Sequence, residues 1–341
     1  MGNKILSIVI PTYNMEAYLP RCLESLLGTC EILKDLQVLV VNDGSKDGSS
    51  KIAHEFESKY PDTIDVIDKE NGNYGSCVNV GLKNATGKYF RILDADDCVN
   101  NEGLVRLVSQ LRYVDADAIF TDFEIITEGK SNGVVYKTNV NALGTVLDIE
   151  NVELLNLHPQ YDFAMHKITY RTSLLKEIGF RQTEGISYTD TEYVYYPFEY
   201  VNNVIVYDFV LYKYFVGREG QTIDINSKIK NSSHLRTIME RMLIESNPLE
   251  LEKNRDKLRC KILTFTFSGY YHILLVLSYL NSDSRVLLFD LDSRIWDSSS
   301  VLYEELSKVK CLGLPYIKMW RKFNLQIIKP WFYLILKKVF R

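Results

Sequence analysis

The sequence predicts an α/β fold: a Rossmann-like, mainly parallel sheet flanked by helices, followed by a helical C-terminal region. Three observations predict it. β-rich apolar runs alternate with helical patterns through the first ~125 residues. Polar clusters follow three of those runs, and from about Ser227 the pattern is helical. Strands joined by crossover helices pair in parallel and carry helices on both faces of the sheet.

The elements follow in order. Ile5–Ile10 is the first predicted strand, ended by Pro11. A helix over Glu16–Leu27 then gathers Tyr18, Leu19, Cys22, Leu23 and Leu26 on one face. Gln37–Val41 is the second strand and opens into the turn Asn42-Asp43-Gly44-Ser45. Ser45 or Asp47 caps the next helix, whose inner face is Ile52, Ala53 and Phe56. Thr63–Ile67 is a third strand, Ser76–Ala85 a helix, and Lys88–Leu93 a fourth strand running straight into Asp94-Ala95-Asp96-Asp97. A helix over Asn101–Val114 and a strand over Asp117–Thr121 complete this half. Short strands at Gly133–Thr138, Val204–Tyr207 and Leu211–Phe215 extend the sheet. The expected organisation is one domain over 1–225, in halves 1–125 and 126–225, and a helical region over 226–341.

Composition narrows the function. Charged residues are 25% of the chain and the net charge is -4, which argues against general nucleic-acid binding. The charge is lopsided: after Glu305 there are nine lysines and arginines and no acid, leaving -13 for the rest. That tail interleaves Trp320, Phe323, Trp331, Phe332 and Tyr333 with its basic residues, which suits an anionic membrane surface. It equally suits packing on the domain with the lysines solvated. Leu263–Leu280 is uncharged but carries Thr264, Thr266, Ser268, His272 and Ser278, and reads as a buried or interfacial helix rather than a span. The six cysteines form no CxxC pair and read as reduced thiols, and the N-terminus shows no signal-peptide pattern. The expected location is the cytoplasm, peripheral on the inner face of the plasma membrane.

Ligands of open parallel sheets bind beyond the carboxyl ends of the strands, where Pro11-Thr12-Tyr13-Asn14, Asn42-Asp43-Gly44-Ser45 and Asp94-Ala95-Asp96-Asp97 fall. Three carboxylates within four residues repel one another unless a cation compensates, and a hard divalent ion such as Mn²⁺ or Mg²⁺ suits them. The same residues also suit a helix N-cap. Asp43 can accept a hydrogen bond from a base or ribose, or close a plain Asx turn, and Tyr13 can stack on a base. His234 can supply a neutral metal ligand, and His166 and Lys167 stand before an apparent strand where they can face an acceptor. Arg218, between glycines in YFVGREGQT, can clamp a diphosphate as its loop closes.

The segments IVIPTYNMEAYLPRCLESLL, VLVVNDGSKDGS, NGNYGSCVNVGLKNATGKYFRILDADD and YTDTEY, in this order, resemble the family 2 glycosyltransferases. The resemblance covers about residues 5–100, with islands near 160–220. It implies a GT-A fold, a nucleotide-diphospho-sugar donor (a UDP-sugar by preference), Mn²⁺ or Mg²⁺, and inversion at the anomeric carbon. It implies that Pro11, Tyr13 and Asp43 hold the nucleobase. Asn71, Gly72 and Asn79 would border the nucleotide, and Asp94 and Asp96 would contact ribose and metal-bound diphosphate. Either Asp96 or Asp97 fits the metal ligand. Where many members carry a basic residue before the counterpart of Asn79, this chain has Val78. In Tyr188-Thr189-Asp190-Thr191-Glu192 the resemblance implies Asp190 as the base, with Thr189 where members often have glutamate. A helix N-terminus explains the same residues, and a cap also holds a carboxylate still. The implied acceptor is a saccharide or lipid-linked one in surface-polysaccharide synthesis. A sugar nucleotidyltransferase shares the architecture but calls for a Gly-rich basic first loop, which this chain lacks. An inactive carbohydrate-binding or scaffold protein would have no need of Asp94, Asp96, Asp97 and Asp190.

Overall fold

The structure, a computed structural model, describes residues 4–28, 30–129, 133–138, 140, 142–153, 163–218, 221, 225–280, 282–311 and 313–323. It divides into two units, Met1–Glu219 and Gly220–Arg341, six residues before the expected boundary. The first unit ends just past its last strand.

The first unit is built on one sheet. Its early strands are β1 (Leu6–Thr12), β2 (Leu36–Asn42), β3 (Ile64–Asp68) and β4 (Tyr89–Ile92). They alternate with α1 (Leu19–Leu27), α2 (Ser49–Lys59) and α3 (Asn73–Asn84) and pair in parallel in the order β3-β2-β1-β4. Every residue of β1, β2 and β4 is buried. That is why these strands read as continuous apolar runs rather than as an alternation. Pro11 lies inside β1, not after it, opposite Val41. Val9 and Thr12 offer their carbonyls to Leu93 and Asp43 respectively, so alternation turns Pro11 toward the β4 side. The last ladder pair there is Val9 with Ile92, so the missing proline N–H costs no ladder bond.

Beyond β4 the sheet departs from the expected parallel continuation. After β5 (Cys98–Val99), α4 (Asn101–Leu111) and β6 (Ala118–Thr127), the chain forms β7 (Val134–Tyr136), β8 (Leu147–Asp148) and β9 (Ile168–Arg171). β9 inserts antiparallel between β4 and β6. The two predicted strands at 204–207 and 211–215 are one 14-residue strand, β10 (Asn203–Val216), parallel to β6 and irregular in register around Val206–Tyr212. Short helices α5 (Thr172–Glu177) and α6 (Asp190–Tyr195) flank this half. α4 begins at Asn100, whose side chain accepts from Gly103 N–H at 2.9 Å; the cap of that helix is therefore Asn100 and not Asp96 or Asp97.

The second unit is helical, as expected: α7 (Ile225–Lys230), α8 (Ser232–Glu245), α9 (Asn254–Leu280), α10 (Ser282–Ser298), α11 (Ser300–Lys308) and α12 (Tyr316–Phe323). Among the described residues no helix is long and apolar enough to cross a membrane, α9 included. Trp320, expected as part of a surface-seeking tail, is buried against Tyr271 and Phe289. Arg321 bonds Asp292 and the Tyr303 carbonyl. The start of the basic stretch is therefore part of the helical core; Trp331, Phe332 and Tyr333 lie outside the described residues.

Candidate functional site

The carboxyl ends of β1, β2 and β3 frame a cleft of about 470 Å³ lined by Tyr13, Lys46, Asp68, Lys69, Glu70 and Asn71, among others. Tyr13 and Asn71 thus stand where a base was expected. Tyr13 is 45% exposed, ready to stack on one.

Asp43 braces the wall beside that cleft. Its carboxylate is buried and accepts Lys69 Nζ at 2.6 Å, Gly72 N–H at 2.9 Å and Asn73 N–H at 2.8 Å. The Asn71 side chain donates to the Asp43 carbonyl at 2.9 Å. Asp43 therefore ties down the 69–73 loop, one side of which is the cleft wall. Asn73 completes that turn at φ 68, a left-handed conformation asparagine tolerates. Asn79, at the expected border of the nucleotide, also ties two segments together. Its amide donates to the Gln182 carbonyl and Glu184 Oε1, both at 2.9 Å, and accepts Gln182 N–H at 2.8 Å, clamping α3 to the 182–184 segment.

The acidic triplet emerges at the end of β4. Tyr74 donates to Asp94 Oδ1 at 2.8 Å. Tyr212 donates to Asp97 Oδ2 at 2.7 Å, and Phe215 N–H to Asp97 Oδ1 at 2.7 Å. Asp96 is the member with a cation, Arg218 Nε at 2.6 Å from Oδ2, while Arg21 holds the Asp96 carbonyl at 2.7 Å. Burial, then the charge of Asp96, pushes the Asp94 carboxyl up to about 7. Burial and the neighbouring Asp94 charge push Asp97 well above its ordinary value.

One ligand atom each of Asp94, Asp97 and His166 lies within 4.8 Å of the others. Among the described residues this is the group able to hold a metal ion. It contains neither Asp96, engaged by Arg218, nor His234, which belongs to α8 of the second unit. His166 sits in a 3₁₀ turn, Met165–Lys167, just before β9. Its ring stacks on Tyr214 at 4.3 Å and on Phe123 at 5.3 Å, and meets Tyr212 edge-on at 4.7 Å. Burial, aided by the Arg91 charge, holds it neutral, with its pKa lowered to about 3. Its neighbour Lys167 does not face an open acceptor site: it is fully buried and donates to Thr138 Oγ1 at 2.7 Å.

Asp190 opens α6. Its charge raises the pKa values of Asp94, Tyr74 and Tyr214, which brings it to the rim of the acidic cluster. Tyr188, two residues earlier, holds φ 70, a conformation costly for an aromatic residue and of the kind found at functional sites. Glu192 points elsewhere. It is fully buried and accepts Thr183 N–H at 2.6 Å and Thr183 Oγ1 at 2.7 Å. The two acids of the motif are thus divided between the cluster and the core.

Sequence reasoning missed Tyr74, Tyr212, Arg21 and Arg91. Only Arg91 left a signal: a lone cation in an otherwise apolar strand, now 1% exposed, donating to Thr169 Oγ1 at 2.8 Å and to the His166 carbonyl. The tyrosines reach the triplet from residues 74 and 212, and no local pattern announces such a meeting.

Comparison with known proteins places the fold. The chain is similar to an uncharacterized glycosyltransferase of Mycoplasma pneumoniae, the MG025 homolog, at 31% identity over 180 residues, 52% of this chain and 58% of that protein. It is 40% identical over 98 residues to the minor teichoic acid biosynthesis protein GgaB of Bacillus subtilis, covering 29% of this chain and 11% of that protein. The chain thus spans less than two thirds of the length of these relatives. Its fold matches S. aureus TarS, solved in complex with UDP-GlcNAc, with a TM-score of 0.60 at 19% identity over 88% of this chain and 90% of that one. This is the GT-A architecture that the resemblance to family 2 glycosyltransferases implied. The family model for glycosyl transferase family 2 matches residues 7–178, half of the chain, and the protein belongs to that family.

Proposed function

We propose that this chain transfers a sugar, with inversion, from a nucleotide-diphospho-sugar to a saccharide or lipid-linked acceptor in surface-polysaccharide synthesis, and depends on Mn²⁺ or Mg²⁺. The observation that carries the proposal is the buried triplet at the end of β4. Asp94 and Asp97 are packed together with hydroxyl and amide donors and, among the described residues, no direct ion pair, within reach of the charge of Asp190. A cluster of that kind is costly until a cation arrives. A divalent ion bound there would neutralise the charge developing on the leaving diphosphate.

The remaining work falls to the chain. Tyr13 and the Asp43-braced loop around Asn71 receive the base. Arg218, paired with Asp96 in the structure, can exchange that partner for a diphosphate oxygen. Asp190 accepts the proton of the attacking acceptor hydroxyl. A UDP-sugar is the preferred donor; TarS, of the same fold, was solved with UDP-GlcNAc. The likeness to GgaB, named for minor teichoic acid biosynthesis, supports a surface polymer as acceptor.

Donor turnover by the purified protein tests the reading. With Mn²⁺ and an acceptor, UDP should be released from a UDP-sugar, and chelator should stop it. Pyrophosphate release would mean nucleotidyl transfer, and absence of turnover across a donor panel would favour a binding protein. Peripheral membrane attachment through the basic aromatic tail belongs to the same proposal. Because Trp320 and Arg321 are built into the helical core, the informative truncation starts at residue 324. It should release the protein from anionic liposomes while leaving turnover of a soluble acceptor intact.

A further inference from the structure

We propose that His166 is a protein ligand of the divalent cation, binding through a ring nitrogen beside Asp94 and Asp97; this rests on the metal-dependent reading above. Three independent features lead there.

The first is convergence. The three candidate ligand atoms lie within 4.8 Å of one another. Ligands on opposite sides of a hard divalent ion, each at ~2.0–2.6 Å, stand ~4–5 Å apart. The second is an orphan. His166 Nδ1 is shut off from solvent and has no hydrogen-bond partner among the described residues. Buried imidazole nitrogens are ordinarily bonded, so an orphan on a ring that converges with two carboxylates calls for an explanation, and a cation supplies one.

The third is the way the ring is held. Tyr214 and Phe123 stack on it, at interplanar angles of 27° and 18°. Arg91 anchors the turn by donating to the His166 carbonyl, and is itself braced on Thr169 Oγ1. Among the described residues the guanidinium has no carboxylate partner, and its charge disfavours imidazolium. Neutral imidazole is the form that ligates. Tyr212, which meets the ring edge-on, also donates to Asp97, so one side chain sets the spacing of two of the three groups.

The competing account is a histidine that serves only as an aromatic plate. Phenylalanine would serve that role equally, which defines the test. Mn²⁺ is titrated into the full chain, with and without UDP, and its affinity and pulsed-EPR spectrum are recorded for wild type, His166→Phe and His234→Asn. Wild type should show modulation from a directly bound nitrogen. His166→Phe should lose it and bind Mn²⁺ more weakly by at least the ~10–100-fold typical of losing an outer-shell partner. His234→Asn should match wild type. Nitrogen modulation that survives in His166→Phe, or an unchanged affinity there, overturns the proposal. If that variant does not fold, the wild-type spectrum decides: bound Mn²⁺ without nitrogen modulation overturns the His166 assignment and leaves the metal-dependent reading standing. No Mn²⁺ binding at all removes both.

Discussion

Asp43 and Asp94 follow strands that lie in the same sheet, β2 and β4, yet their carboxylates are finished differently. Asp43 has a lysine and two backbone N–H groups on its oxygens. Asp94 has one tyrosine hydroxyl and two acidic neighbours. The first site is complete in the protein alone; the second has been left a charge short. The nucleotide edge is accordingly preformed and contributes to folding. On the proposed reading, the centre around Asp94 would weaken the metal-free protein and recover that loss on binding.

The largest effect should come from inverting this contrast. Asp94→Asn removes a buried like charge while preserving volume and an acceptor for Tyr74. It should abolish transfer and raise the melting temperature of the metal-free protein. A fall in melting temperature, or turnover near wild type with saturating Mn²⁺, would show that Asp94 is as self-sufficient as Asp43.

Next in size is the base. Asp190→Asn should lower turnover by roughly 10²–10⁴-fold while donor affinity, read by calorimetry, is retained. Glu192→Gln should instead lower stability through Thr183. The reverse pattern would exchange the two roles.

Asp43→Asn should leave Lys69 without its anion and weaken two loop contacts. Hydrogen bonds to charged groups contribute about 1.5–3 kcal/mol, so a stability loss of that order is expected in urea unfolding, with weaker UDP binding. Wild-type stability combined with weakened UDP binding would mean that Asp43 meets the nucleotide directly.

The smallest effect sharpens the nucleotide edge. His54 lies 2.7 Å from Asp68, a cleft residue, and 2.8 Å from Glu57. Hydrogen bonds to Asp68 and then Glu57 raise its pKa above the usual 6.5. A raised folded-state value means that the stabilisation is fully present below the unfolded pKa and is lost as pH rises through the folded one. The melting-temperature gap between wild type and His54→Gln should therefore be widest below about pH 6 and close in the alkaline range. Because the pair is partly exposed the gap should be small, and a gap that grows with pH would refute the assignment.

The same contrast explains what could be read in the sequence. The first four strands, their helices and the triplet announce themselves because each depends on local periodicity and turn chemistry. The use made of each carboxylate does not. That Asp43 would be saturated by Lys69, Gly72 and Asn73, or Asn79 by Gln182 and Glu184, follows from contacts 26 to 105 residues apart. The parallel continuation expected after β4 failed for a related reason. A strand after Lys167 can be read locally, but nothing local shows that the four residues 168–171 insert antiparallel beside β4.

That inserted strand also sets a schedule for synthesis. Until residues 168–171 have left the ribosome, β3-β2-β1-β4 and the β6–β7 pair are separate pieces with no strand joining them. Chains emerge at about 5–20 residues per second, so the donor edge can settle seconds before the last cluster residues, His166, Asp190 and Tyr212, exist. The half-made enzyme thus carries its acids before it carries the residues that would put them to use. The strand that welds the sheet follows directly on the turn bearing His166, so the joining of the two pieces and the arrival of that histidine become one event, with Asp190 and Tyr212 still to come.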